Sequence, residues 1–158
     1  MGETERKQGD VMSSPQVAAG DRIIDPMIAL AGCSTRHRIV VAGSKSMELM
    51  LQLHRRGYLL AAATGNCGRA AGQYDVALVD WRRRTLHELE STLDWLVKFL
   101  RPNAVLVVWV DAQKSAASES LRVAVAKRGF VVMQDTVHEC GCALSARRLK
   151  TYPVQKAA

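Results

Sequence analysis

Between residues 38 and 149 the chain alternates short, unbroken apolar runs with longer stretches in which apolar residues recur every three or four positions. The first kind reads as strands covered on both faces, the second as helices with one buried face. Residues 38–43 (RIVVAG) predict a first strand ended by Gly43. In residues 44–56, Met47, Met50, Leu51 and Leu53 mark a helix, Arg55 and Arg56 complement its dipole, and Gly57 stops it. Residues 58–64 (YLLAAAT) read as a second buried strand, 65–73 (GNCGRAAGQ) as a glycine-punctuated connection, and 74–81 (YDVALVDW) as a third strand. Thr85 and Glu88 form a T-x-x-E capping box ahead of Leu86, Leu89, Leu93, Leu96 and Leu100, a helix expected to end at Arg101-Pro102. Residues 104–112 (AVLVVWVDA) predict a fourth strand, 115–128 a helix with Leu121, Ala124 and Val125 inward, and 130–137 (FVVMQDTV) a fifth strand. Residues 140–149 (CGCALSARRL) then give a sixth strand in hairpin with the fifth. Upstream, Asp25 reads as the N-cap and Pro26 as the first residue of a short helix ended by Gly32.

This alternation predicts one α/β domain over residues 19–150: a doubly wound, mostly parallel sheet with helices on both faces and a C-terminal antiparallel hairpin. Residues 1–18 are polar and aperiodic and read as a flexible tail, and 151–158 as a loose one. A length of 158 residues, 48% of them apolar and 23% charged, fits a single globular domain and excludes collagenous, disordered and disulfide-stapled classes. No apolar run approaches the roughly 18 residues of a membrane span, and MGETERKQGD lacks the apolar core of a secretory signal, so a cytoplasmic protein is expected. Cys33, Cys67, Cys140 and Cys142 show no CxxC spacing, and no structural disulfide is expected.

Charge changes the picture more. The formal net charge is +7, yet residues 1–37 carry four basic and five acidic residues, so the excess, 18 basic against 10 acidic, lies in residues 38–158. A basic body admits an anionic small molecule, a protein partner or nucleic acid. Nucleic acid has no motif in its favour: there is no helix-turn-helix, zinc-finger, RRM or KH signature, and 5% aromatic residues leave few stacking platforms. His138, Cys140 and Cys142 alternate as metal ligands on one strand would, but a turn at Gly141 sends the two cysteines to different strands, and no metal is expected.

In a doubly wound sheet, ligands bind beyond the carboxyl ends of the strands where strand order reverses. Two loops fall there, Gly43-Ser44-Lys45-Ser46 and Asp80-Trp81-Arg82-Arg83-Arg84. A helix N-terminus with Lys45, facing Arg82, Arg83 and Arg84 beside an exposed-looking Trp81, makes a candidate anion site. The plainer alternative is that these are solvated loop cations. GSKS is not a phosphate loop, because Ser44 and Ile39 stand where GxxxxGK[ST] needs glycines. Asp80 is a candidate catalytic base, against the simpler role of capping the turn that follows it.

Gly43, Leu49, Leu53 and Gly57, the strand YDVALVDW, the segment FLRPNAVLVVWV and the closing GFVVMQDTV and CALSARRL together resemble the Rossmann-like S-adenosylmethionine-dependent methyltransferases over residues 38–149. The resemblance implies a cofactor-binding set of Gly43, Ser44, Lys45, Ser46, Thr64, Asp80 and Trp81. The chain also departs from that family. Lys45 and Met47 replace the second and third glycines of its turn, AAATGN offers no acid for the ribose hydroxyls, and nine residues between the second and third strands leave no room for one βα unit. A degenerate, shortened member is expected, acting without catalysis as a binding or regulatory module. The alternatives are an active methyltransferase on a small substrate and a receiver-like signalling or nucleic-acid-associated protein. RRGYLLAAATGN with YDVALVD is similar to response-regulator receivers, which would make Asp80 a phosphoacceptor.

Overall fold

A computed structural model of the chain describes residues 19–63, 73–82, 85–111, 115–139 and 141–149, the side chains of 19–22 and 115–117 excepted. The expected tails, Thr64, Cys67, Arg83, Arg84 and Cys140 lie outside these residues.

The β-branched runs form the centre of one six-stranded sheet. In chain order the elements are α1 (Ala19–Ala31), β1 (Ile39–Gly43), α2 (Ser46–Arg55), β2 (Ala61–Ala63), β3 (Tyr74–Trp81), α3 (Leu86–Val97), β4 (Leu100–Val110), α4 (Ser115–Lys127), β5 (Phe130–His138) and β6 (Gly141–Arg148). The strands lie in the order β2-β1-β3-β4-β6-β5. The first three pairings are parallel, and β6 runs antiparallel to both β4 and β5. Period-2 alternation divides the interior into two cores. On one face Val40, Ala77, Val79, Leu106 and Val108 meet Leu89, Leu93 and Leu96 of α3 and Leu121, Ala124 and Val125 of α4. On the other Ile39, Val41, Leu78, Val107 and Trp109 meet Ile23, Ile24 and Met27 of α1 and Leu49 and Leu53 of α2.

This is the shortened, doubly wound sheet with a terminal antiparallel hairpin that the sequence predicts. It does not support the receiver likeness. A receiver sheet runs 2-1-3-4-5, whereas here the neighbour of β4 is the antiparallel β6.

Several local expectations are corrected. Asp25 does not cap α1: the helix begins six residues earlier and holds Pro26 inside it, because burial of Ile23, Ile24 and Met27 outweighs the lost backbone bond. Asp25 instead pairs with Arg56 at 2.9 Å, tying α1 to the end of α2. The inward face of α2 is Leu49, Met50, Gln52 and Leu53, while Met47 and Leu51 are exposed. The second strand begins only at Ala61, since Tyr58–Leu60 form a turn that leaves Leu59 71% exposed. His54 anchors this strand, its Nε2 lying 2.9 Å from the Ala61 carbonyl oxygen. The capping box forms in full, with Glu88 N–H donating to Thr85 Oγ1 and Thr85 N–H to Glu88 Oε1, each at 3.1 Å. Its helix ends at Val97, and Leu100, Arg101 and Pro102 open β4. Proline is tolerated there because regular pairing with β3 resumes only at Val105.

Candidate functional site

The carboxyl ends of β1 and β3 lie side by side, with Gly43 registered against Asp80. Between these strands the chain order reverses, because β1 leads through α2 to β2 on one side while β3 lies on the other. The sequence-predicted residues Gly43, Ser44, Lys45, Ser46, Asp80, Trp81 and Arg82 are therefore brought together. What they do there differs from the expectation in three ways.

First, Asp80 is fully buried, and the Arg82 guanidinium grips its carboxylate in a bidentate pair, Nε to Oδ1 and Nη2 to Oδ2, both 2.7 Å. The Arg82 backbone N–H adds a longer bond to Oδ1 at 3.3 Å. An arginine fork matches a carboxylate in plane, so each charge is answered locally. Arg82 thus spends two of its donors on the protein's own carboxylate. Only 16% of its side chain is exposed.

Second, the turn after β1 is bonded to the end of β3. Ser44 N–H donates to the Asp80 carbonyl at 2.8 Å, and the Ser44 hydroxyl donates to the Arg82 carbonyl. Gly43 makes this approach possible. Its φ is +106°, and a Cβ placed on it would stand 2.1 Å from the Asp80 carbonyl oxygen. The glycine's space is filled by the backbone of β3.

Third, Trp81 is not exposed. It is 3% accessible, belongs to the core beside Val79 and Val110, and donates its indole Nε1–H to the Thr85 carbonyl at 3.0 Å. It joins the end of β3 to the cap of α3. Lys45 is the exposed N-cap of α2 and makes no side-chain capping bond.

Elsewhere, β5 ends at His138 and β6 begins at Gly141, which pairs with His138, so the chain turns at Glu139, just ahead of the glycine where the turn was expected. The His138 ring stacks on Trp109 with centroids 5.2 Å apart. Among the described residues no three His, Cys, Asp or Glu side chains converge as metal ligands, and no described helix is long and apolar enough to cross a membrane.

The sheet order, the two helical layers and the closing antiparallel pair define the Rossmann-like fold of S-adenosylmethionine-dependent methyltransferases, in a shortened form. Solved structures of that class superpose on the chain. A SAM-dependent methyltransferase from Methanosarcina mazei matches with a TM-score of 0.62 at 12% identity, over 80% of this chain and 98% of the other. Magnesium protoporphyrin IX methyltransferase from Synechocystis, solved with bound SAM, gives 0.55 at 14% identity over 94% and 86%. The cyclase SpnF gives 0.59 at 12% over 83% and 82%, so the fold also houses a protein named for other chemistry. No family model and no curated protein matches the sequence.

Proposed function

We propose that this domain keeps the methyltransferase fold without transferring methyl groups and serves as a binding or regulatory module. The observation that carries the reading is the closure between β1 and β3. Where strand order reverses, a cofactor-binding sheet opens a crevice between two loops. Here the two loops are hydrogen-bonded to each other through Ser44, and the polar group at the end of β3, Asp80, is held by Arg82.

S-adenosylmethionine is the group this fold implies, and the residues present do not fit it in the usual pose. The room at Gly43 is taken by the Asp80 carbonyl, not left for a ligand to approach. Lys45 stands at the second glycine position, and Ala61–Ala63, followed in sequence by Thr64, Gly65 and Asn66, supplies no carboxylate for ribose hydroxyls. A ligand in that pose would have to break the Asp80–Arg82 pair or part the two loops, and both changes leave buried polar groups unsatisfied.

Titration calorimetry with S-adenosylmethionine tests the reading. The expected result is no saturable heat at millimolar ligand. Binding at micromolar Kd would overturn it in favour of an active enzyme with an altered cofactor pose.

A further inference from the structure

Away from the Asp80–Arg82 pair, a second group of basic side chains gathers at the opposite end of the sheet. A cavity of about 330 Å³ lies beneath the amino ends of β3 and β4, bounded by the end of α1 and lined by His37, Asp75, Arg101, Asn103 and Arg147. We propose that this cavity binds a small multivalent oxyanion, of the phosphate or carboxylate class, with Arg147 as its principal contact.

Arg147 lies on β6, and its one side-chain hydrogen bond among the described residues is from Nη1 to the Asn103 carbonyl at 3.1 Å. That bond anchors one edge of the guanidinium and leaves its other donors available to a ligand. Asn103 is the one described non-glycine residue with positive φ, at 68°, and its strained backbone presents the carbonyl that Arg147 takes. His37 contributes a second donor. Its Nδ1 accepts the Ser34 N–H at 2.9 Å, so in the neutral ring the proton sits on Nε2. Arg101 is a third donor, 54% exposed and 3.2 Å from Asp75.

Among the described residues, Asp75 is the one carboxylate lining the cavity. Both of its oxygens are engaged, Oδ1 by Arg101 and Oδ2 by the Arg38 backbone N–H at 2.9 Å. The ionised side chains lining the cavity are therefore two arginines and one acid, and with Arg101 set against Asp75 the net positive charge is that of Arg147. Exposed Arg36 and Arg38 on the adjoining segment raise the potential at the same end. A volume of this size suits a small ligand and not a polymer groove. The end of α1 is a helix carboxyl pole, which favours a ligand seated toward Arg147 and Arg101 and away from Gly32.

Pyrophosphate and citrate are the two probes, titrated into the full chain at low salt, with amide chemical shifts followed by NMR. Saturable shifts at His37, Asn103 and Arg147 are expected with at least one probe, and the probe that binds distinguishes phosphate from carboxylate chemistry. Arg147→Gln should weaken binding roughly tenfold or more, as expected for losing charge-assisted donors. Because Arg147 is exposed, its substitution spares the fold, which an unchanged spectrum outside the cavity would verify. His37→Ala is the second variant and should weaken the same binding less. The proposal is overturned if neither probe gives saturable shifts at these residues, or if binding survives Arg147→Gln undiminished. Cofactor binding at the other end of the sheet would leave it standing, because the two sites share no residue.

Discussion

Replacing Arg82 by methionine tests whether the Asp80–Arg82 pair at the end of β3 is sealed from water, as the proposed closure of the crevice requires. The substitution keeps most of the aliphatic stem and deletes both guanidinium contacts, the 2.7 Å bonds to Oδ1 and Oδ2 of Asp80. Asp80 is fully buried, so among the described residues its carboxylate would keep only the 3.3 Å bond from the Arg82 backbone N–H. Breaking a buried ion pair by removing one partner costs about 3–5 kcal/mol, far above the ~0–1 kcal/mol of an exposed pair. For a domain of this size each kcal/mol moves Tm by about 2–4 °C, so Arg82→Met should lower Tm by roughly 6–20 °C. Urea denaturation at pH 7 and calorimetry would both read this. The companion double variant Asp80→Leu/Arg82→Met removes both charges and should return to within about 1 kcal/mol of the parent. With Asp80→Leu as the other single variant, the full cycle should therefore give a coupling energy of at least about 2 kcal/mol. The reasoning is refuted if Arg82→Met costs less than about 1 kcal/mol, because Asp80 would then be reached by water and the two loops free to part.

Other substitutions probe the same interior. Gly43→Ala places a Cβ 2.1 Å from the Asp80 carbonyl oxygen at a φ of +106°, and should cost more than about 2 kcal/mol in the same denaturation assay. Ser145→Ala should be neutral or stabilising by up to about 1 kcal/mol, since the buried Ser145 hydroxyl has no hydrogen-bond partner among the described residues and removing it relieves a desolvated group. Burial pushes the Cys33 thiol above its ordinary pKa, its own backbone hydrogen bond only partly opposing this, so less thiolate forms at a given pH. Alkylation of Cys33, followed by peptide mass mapping, should rise only at higher pH than in the urea-unfolded chain. Stability should fall as pH climbs past the ordinary thiol value, because the unfolded chain then binds fewer protons than the folded one.

The legible parts of the fold were those in which local pattern and burial agree. The runs VALVDW and VLVVWV are strands because they are apolar on both faces and meet helices on both. The Thr85 cap is local chemistry and forms as written. Tertiary packing decided the rest. Pro26 reads as a helix start, yet buried neighbours on both sides hold it inside α1. Leu59 and Leu60 read as strand, but the tight return from Gly57 leaves them outside the pairing with β1. The site residues were legible in identity and less so in role. Trp81 shares the period-2 face of Ala77 and Val79, which already points it into the core despite the arginines after it. The same alternation puts Arg82 on the side of Asp80, two positions back, and this was the available signal that the first arginine belongs to the aspartate. The cavity at the amino ends of β3 and β4 had no such signal, because His37, Arg101 and Arg147 are far apart in sequence and meet only through the sheet.

The claim on which the account turns is that the β1 and β3 loops are closed against the cofactor this fold implies. The most direct measurement is an amide NMR titration of the full chain with S-adenosylhomocysteine, following Gly43, Ser44, Lys45, Asp80 and Arg82. The account predicts no saturable shift at these five residues up to millimolar ligand. Saturable shifts centred on Gly43 and Asp80 at micromolar ligand would contradict it.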